Sequence, residues 1–444
     1  MRSNNYFVVA APLSLLNLFA CGSSSSSSGN TSSCTNAAGP NAIPTSNSSS
    51  IPLYIADPST TGSYGYTNEP LVSVTICTPN HTSSSQCQVV SNILLDTGSS
   101  GLRIFNSAIG SNVVLNQLMI STPVGTKSLA ECATFGTGAD WGSVKTGDLI
   151  FGGQTASNIP IHVIDINYAS IPSGCSEESP DTDPCSAGYN GILGVAPLIA
   201  DCGANCASTD DTVNPGSYFG CDSTGCYNAS HGNCGTDHTC VFTVSTGAQV
   251  SNPVTSFSSP FNNGVSISLP NIGASGASGV TGTLTLGIQA ATAPSGVFAI
   301  DPNGATDNNY LDFNTTFNGI VYGYQSTNNT TAFLDSGSNG IFYPGNLTVC
   351  SDASSFYCPA STQNLNATMS GYQGSPSSSV SFSVANTDAL GNTGNSAFSN
   401  LGGPSNSSFD WGLPFFFNRT VYIGIDGTSA TINSSSATGP YWAF

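Results

Sequence analysis

The stretch "NILLDTGSSGLRIF" occupies residues 92–105, and "TAFLDSGSNGIFYP" occupies residues 331–344. Each runs three residues of strand character into an acid, a hydroxyl residue, glycine, serine, a small residue or amide, and a second glycine. Apolar residues then return. The two acids, Asp96 and Asp335, stand 239 positions apart (335 − 96). Burying a lone carboxylate behind an Ile-Leu-Leu run is costly unless it finds a partner. A single Asp-Thr-Gly is a common turn sequence and on its own reads as an Asx motif. Two copies in matching contexts, one per half, argue instead for two β lobes that each deliver a carboxylate to a shared site.

Two carboxylates face to face do not both ionise easily, so one holds a proton while the other accepts one. Such a pair can polarise a water and protonate a leaving amine. Gly98 and Gly337 let the two loops approach without Cβ clashes. The hydroxyls of Thr97 and Ser336 are placed to anchor the loops, and those of Ser99 and Ser338 to bond the carboxylates.

The rest of the chain fits a mainly β protein. Helix formers are scarce, with 49 Gly and 25 Pro among 444 residues, while strand signals recur at 71–76, 148–153, 159–166, 264–269, 282–288, 319–324, 379–384 and 420–425. These runs alternate or are β-branched and aromatic, with Gly, Asn, Pro and Ser turns between them. With 24 acids against 5 bases the net charge is −19, which argues against nucleic-acid and anionic-lipid surfaces as partners. Charged residues make up only 7% of the chain and most are carboxylates, so little charge remains at low pH. No Gly-x-Ser-x-Gly elbow, phosphate-binding loop or His-Glu-x-x-His motif occurs, and no cofactor is expected. The four histidines, His81, His162, His231 and His238, lie apart from any nucleophile signature.

At this point the residues resemble the pepsin-like aspartic proteases, two-lobed β proteins with an Asp dyad in the inter-lobe cleft. "ATFGTGADWGSVKTGDLIFGG" (133–153) looks like that family's flap hairpin, whose usual Tyr-Gly-Thr-Gly start reads here Phe135-Gly136-Thr137-Gly138. "YNGILGVAP" (189–197) is similar to the segment bracing the first catalytic loop, and "WGLPFFFNRTVYIGIDG" (411–427) to the near-terminal segment of the second lobe. The resemblance implies an inter-lobe cleft, a water-activating dyad of Asp96 and Asp335, and a peptide or protein substrate. It also marks two departures. The flap tyrosine is Phe135, which lacks a hydroxyl, and Arg103 stands where the family usually keeps a tryptophan. An arginine paired with the dyad would lower its carboxyl pKa values; the plainer alternative pairs it with a neighbouring carboxylate at the lobe surface. Trp141 reads equally as a wall of a substrate subsite or as a packing aromatic.

The organisation expected is a signal peptide over 1–20, a Ser-rich tether over 21–50, an N-terminal lobe over 51–255 and a C-terminal lobe over 256–444. Arg2 and the apolar run ending "LFAC" resemble a bacterial lipobox with Cys21 as the lipidated residue, against an ordinary signal peptide with a fortuitous cysteine. Lipobox, tether, Trp141 and "WGLPFF" together resemble a bacterial lipoprotein family of the same fold with no settled function. A monomer held at the bacterial cell envelope is the expectation. Of 15 cysteines, setting Cys21 aside leaves 14, an even number that favours disulfides in an exported chain. Cys202, Cys206, Cys221, Cys226, Cys234 and Cys240 crowd an insertion at about 170–240. Zinc is the alternative there, but the spacings match no zinc module, and no metal is expected.

Three functions remain open on the sequence. They are an acid endopeptidase, a non-catalytic surface lipoprotein using the same cleft, and a glycan-processing enzyme with a different carboxylate pair.

Overall fold

The computed structural model describes residues 48–55, 67–123, 125–136, 138–176, 179–209, 214–228, 242–301, 311–328 and 330–444. The signal segment, Cys21, most of the tether, Thr137 of the flap and Cys234, Cys240, His231 and His238 lie outside them. The chain is mainly β, as its composition requires, and among the described residues the helices are short, such as Pro184–Ala187. All eight stretches read as strands fall on strands of the structure.

The duplication legible in the sequence is a duplication of topology. In the first half, Cys87–Asp96 carries the acid to its C-terminal end and pairs in parallel with Gly191–Val195. That strand pairs antiparallel with Ser100–Phe105, which in turn runs parallel to Gln154–Ile164. In the second half, Thr331–Leu334 leads into the acid and pairs in parallel with Ser408–Trp411. That strand pairs antiparallel with Ile341–Tyr343, which runs parallel to Gly402–Pro404. Parallel neighbours buried on both faces need continuous apolar runs, and "ILL", "GILGV", "AFL" and "IFY" supply them.

The sheet of the first half continues into the second and joins the halves. Ser50–Ile55 pairs over its whole length with Val280–Leu286 of the second half and touches Pro70–Cys77 of the first through Tyr54 and Ile55. Gly264–Leu269, Arg419–Gly424 and Tyr441–Ala443 extend that platform. One apolar cluster runs through both halves, from Leu53 and Leu95 to Leu334 and Trp442. The second half adds an aromatic core in which Phe317, Tyr343, Phe382, Phe409 and Trp411 meet edge to face or tilted, the arrangement aromatic quadrupoles favour.

Five disulfides join Cys77–Cys87, Cys132–Cys175, Cys202–Cys206, Cys221–Cys226 and Cys350–Cys358, and Cys185 is also disulfide-bonded. The described cysteines of the insertion are therefore staples rather than zinc ligands. Such bonds persist in oxidising compartments, which fits an exported chain. Among the described residues no helix is long and apolar enough to cross a membrane.

Candidate active site

The two Asp-bearing loops meet at the junction of the halves. A Cβ built on Gly98 would lie 2.7 Å from Asp335 Cγ, and one on Gly337 would lie 2.8 Å from Asp96 Oδ1. Only glycine fits at either place, which is the physical reason both loops carry it. The two carboxyls are within hydrogen-bonding reach of each other.

Each carboxyl is held by its own loop in the same way. Gly98 N–H donates to Asp96 Oδ1 at 2.7 Å, and Gly337 N–H donates to Asp335 Oδ1 at 2.8 Å. Ser99 Oγ donates to Asp96 Oδ2 in a short contact, and Ser338 Oγ donates to Asp335 Oδ2 at 2.8 Å. Behind the acids the loops grip each other. Thr97 N–H donates to Ser336 Oγ at 3.1 Å, and Ser336 N–H donates to Thr97 Oγ1 at 2.9 Å. Each hydroxyl then donates across the junction, Thr97 to Leu334 O at 3.1 Å and Ser336 to Leu95 O at 2.6 Å. Every side chain named in this scaffold is buried. The pair is thus fixed by eight hydrogen bonds that obey one approximate two-fold symmetry.

Burial pushes the Asp335 carboxyl well above the usual carboxylate range, and the neighbouring charges of Asp96 and Asp410 push it the same way. Burial and these neighbouring charges favour the protonated form of Asp335.

Asp410 was not singled out in the sequence. It lies on Ser408–Trp411, in register with Phe333 two residues before Asp335, and it is fully buried. Burial raises its carboxyl well above the usual range; Ser338 works against that rise, and the Asp96 charge adds a lesser push upward. The available signal was an acid inside the apolar run "SFDWGLPFF", at the place where the first half reads "GILG".

Arg103 pairs with carboxylates other than the dyad, as the plainer sequence reading expected, but inside the lobe rather than at its surface. Its guanidinium donates to Glu131 Oε1 at 2.9 Å, to Asp201 Oδ2 at 3.2 Å and to Ser100 O at 2.9 Å, not to the dyad. It is also buried, at 1% exposure, rather than at the lobe surface. The reason is register: Arg103 sits between Ile192 and His162 on paired strands, inside the first lobe beneath the flap. Burial opposes its charge, and Glu131 and Asp201 outweigh that penalty. Burial likewise works against Glu131, yet Arg103 and His162 hold it below its ordinary range. Asp201 is pushed up, by burial first and then by Glu131, and Tyr218 donates to it at 2.8 Å. His162 Nδ1 lies 3.0 Å from Glu131 Oε2 without the alignment of a hydrogen bond, and burial lowers its pKa.

The flap is the hairpin of Gly125–Phe135 and Gly138–Phe151, closed at the Phe135–Gly138 pair with Gly136 exposed in the turn. The Phe135 ring carries the Arg103 guanidinium 5.7 Å from its centroid, a cation–π contact in place of a hydroxyl. Trp141 is fully buried on the other face of the hairpin, edge-on to Phe219 at 5.4 Å and donating to Ala169 O at 3.3 Å. It packs; it lines no subsite.

Over residues 45–444 the chain matches the family described as a protein of unknown function, DUF3443. It belongs to that family. A solved structure, the aspartic proteinase from Irpex lacteus, is similar at 16% identity and a TM-score of 0.45, covering 89% of this chain and 96% of that one. No curated protein matches. The function of this DUF3443 member therefore has to be read from its own geometry.

Proposed function

We propose that this DUF3443 member is an aspartic endopeptidase that hydrolyses peptide bonds with the Asp96–Asp335 pair. The observation that carries the reading is the reciprocal scaffold of Thr97, Gly98 and Ser99 with Ser336, Gly337 and Ser338. A chain that only needed the fold would have no use for two buried acids held in contact, because removing either one relieves their repulsion. In the mechanism a water bound between the carboxyls attacks the peptide carbonyl. One carboxylate accepts the water's proton while the protonated partner donates its own to the carbonyl oxygen. As the tetrahedral intermediate collapses, the proton taken from water passes to the leaving amine and a hydroxyl of the intermediate returns a proton to the partner. The two carboxyls titrate as a unit, so acid and base are roles of the pair.

The proposal extends to placement: a monomer exported to the bacterial cell envelope and anchored through a lipid on Cys21 and the Ser-rich tether. Replacing Cys21 by alanine would then move the protein from the membrane fraction to the soluble one.

The test of activity uses the exported, oxidised chain and a denatured protein substrate between pH 2 and 7. Cleavage lost in both Asp96→Asn and Asp335→Asn supports the proposal. Cleavage that survives both, or a folded chain inert at every pH, overturns it. A second reading, a non-catalytic peptide-binding lipoprotein, draws on one feature, the flap that presents Phe135 rather than a hydroxyl. Peptide binding by an inert chain would favour it.

A further inference from the structure

The two halves share a topology but differ in charge at one strand position beside the dyad. In the first half Ile192 pairs with Leu94, two residues before Asp96. In the second half the same place holds Asp410, paired with Phe333 two residues before Asp335. Side chains alternate along a strand. Phe409 and Trp411 pack at 4.6 Å into the aromatic core, which puts Asp410 on the opposite face. The chain beyond it wraps the second catalytic loop, with Leu413 N–H donating to Ser338 O at 2.7 Å and Asp335 N–H to Trp411 O at 3.1 Å.

Both Asp410 oxygens are fully buried and take no hydrogen bond. Ser338 lies beside it but gives its hydroxyl hydrogen to Asp335. The titratable groups acting around it are Asp96 and Asp335. Tyr322 and Tyr343, on strands packed against this one, contact Phe409 on the far face. Among the described residues no cation offsets the three acids.

We propose that Asp410 is a third carboxyl of the site, a positioning residue that shares the dyad's protons through Ser338 and so keeps the dyad protonated to higher pH. This rests on the peptidase reading of the same site. When Asp410 is neutral its proton is available to Ser338 Oγ, whose own hydrogen already points to Asp335. As pH rises, the second proton leaves the cluster of three. The charge then carried by Asp410 and its neighbours repels loss of the last one, because like charges disfavour each other. The proton that the dyad needs is therefore retained where a two-carboxyl pair would have lost it.

The experiment is the pH–rate profile of the full chain on denatured protein, for wild type, Asp410→Asn and Asp410→Ile, the last copying Ile192. The alkaline limb is expected to move down by about one pH unit or more in both variants, a size typical of charge–charge shifts. A rate that falls at all pH values while the limb stays in place overturns the proposal, since a packing role scales the profile without moving it. Should wild type cleave nothing, the peptidase reading fails by itself, and stability replaces activity as the readout. The unfolding free energies of Asp410→Asn, Asp335→Asn and the double variant are then compared at pH 4 and pH 8. Coupling that grows with pH supports the three-carboxyl cluster; additivity at both pH values overturns it.

Discussion

Thr97 and Ser336 each accept the other's backbone N–H, at 2.9 and 3.1 Å respectively, and each donates its hydroxyl to a carbonyl of the opposite half. The two lobes are thereby joined at the very residues that follow the acids, so the distance between the carboxyls is set by four buried bonds rather than by the outlying sheets.

Removing one side of that exchange is expected to be expensive. Ser336→Ala leaves the buried Thr97 N–H and Leu95 O without partners, at about 1–3 kcal/mol for each unsatisfied group. Thr97→Ser keeps the hydroxyl and should stay close to wild type. Urea unfolding of the two variants checks this, and equal stability would contradict the grip.

Arg103 predicts a pH signature. Arg103→Met strands Glu131 in the first lobe, a loss of about 3–5 kcal/mol for breaking a buried pair. The wild-type pairing depresses Glu131, so its stabilisation is present above the unfolded glutamate pKa of about 4.3 and fades as pH falls through the depressed folded value. The variant should therefore lose most relative to wild type near pH 7 and much less near pH 3. Thermal unfolding across that range reads the difference directly.

Asp312 predicts the opposite slope. Burial pushes its carboxyl up to about 8, against a hydrogen bond accepted from Ala332 N–H at 3.0 Å. A raised carboxyl stabilises the fold below its unfolded pKa of about 3.9, and that contribution is lost as pH rises towards the folded value. Asp312→Asn preserves an acceptor for Ala332 and should match wild type near pH 4. Near pH 8 it should exceed it, on the order of a few kcal/mol. A wild type whose stability does not fall between those values would refute this.

The Cys132–Cys175 disulfide closes a separation of 43 residues and ties a flap strand to the insertion. Loop-closure entropy assigns it about 4 kcal/mol. Cys132→Ser with Cys175→Ser should lower the unfolding midpoint accordingly. Limited proteolysis should then cut the insertion before the second lobe.

The dyad, its glycines and its hydroxyls were legible because the chain repeats them, and repetition separates a site from a turn. Strands were legible through alternation and β-branching. The partners of Arg103 were not. Glu131 and Asp201 lie 28 and 98 positions away, and no local pattern connects them. Trp141 was ambiguous because a strand residue's face depends on register, which the flap sequence alone leaves open. Asp410 was hidden by its setting, an acid among aromatics that reads as core until the two halves are laid register on register.

The strand Ser50–Ile55 has a mechanical consequence. It is the first described strand after the tether, and it is zipped to Val280–Leu286 by six consecutive register pairs, Ser50↔Thr285 to Ile55↔Val280. A pull along this strand from its N-terminal end loads all six pairs together in shear instead of peeling them one at a time. The load enters at the platform shared by both halves. Tension applied at that end would be spread over the whole molecule, leaving the spacing of Asp96 and Asp335 undisturbed.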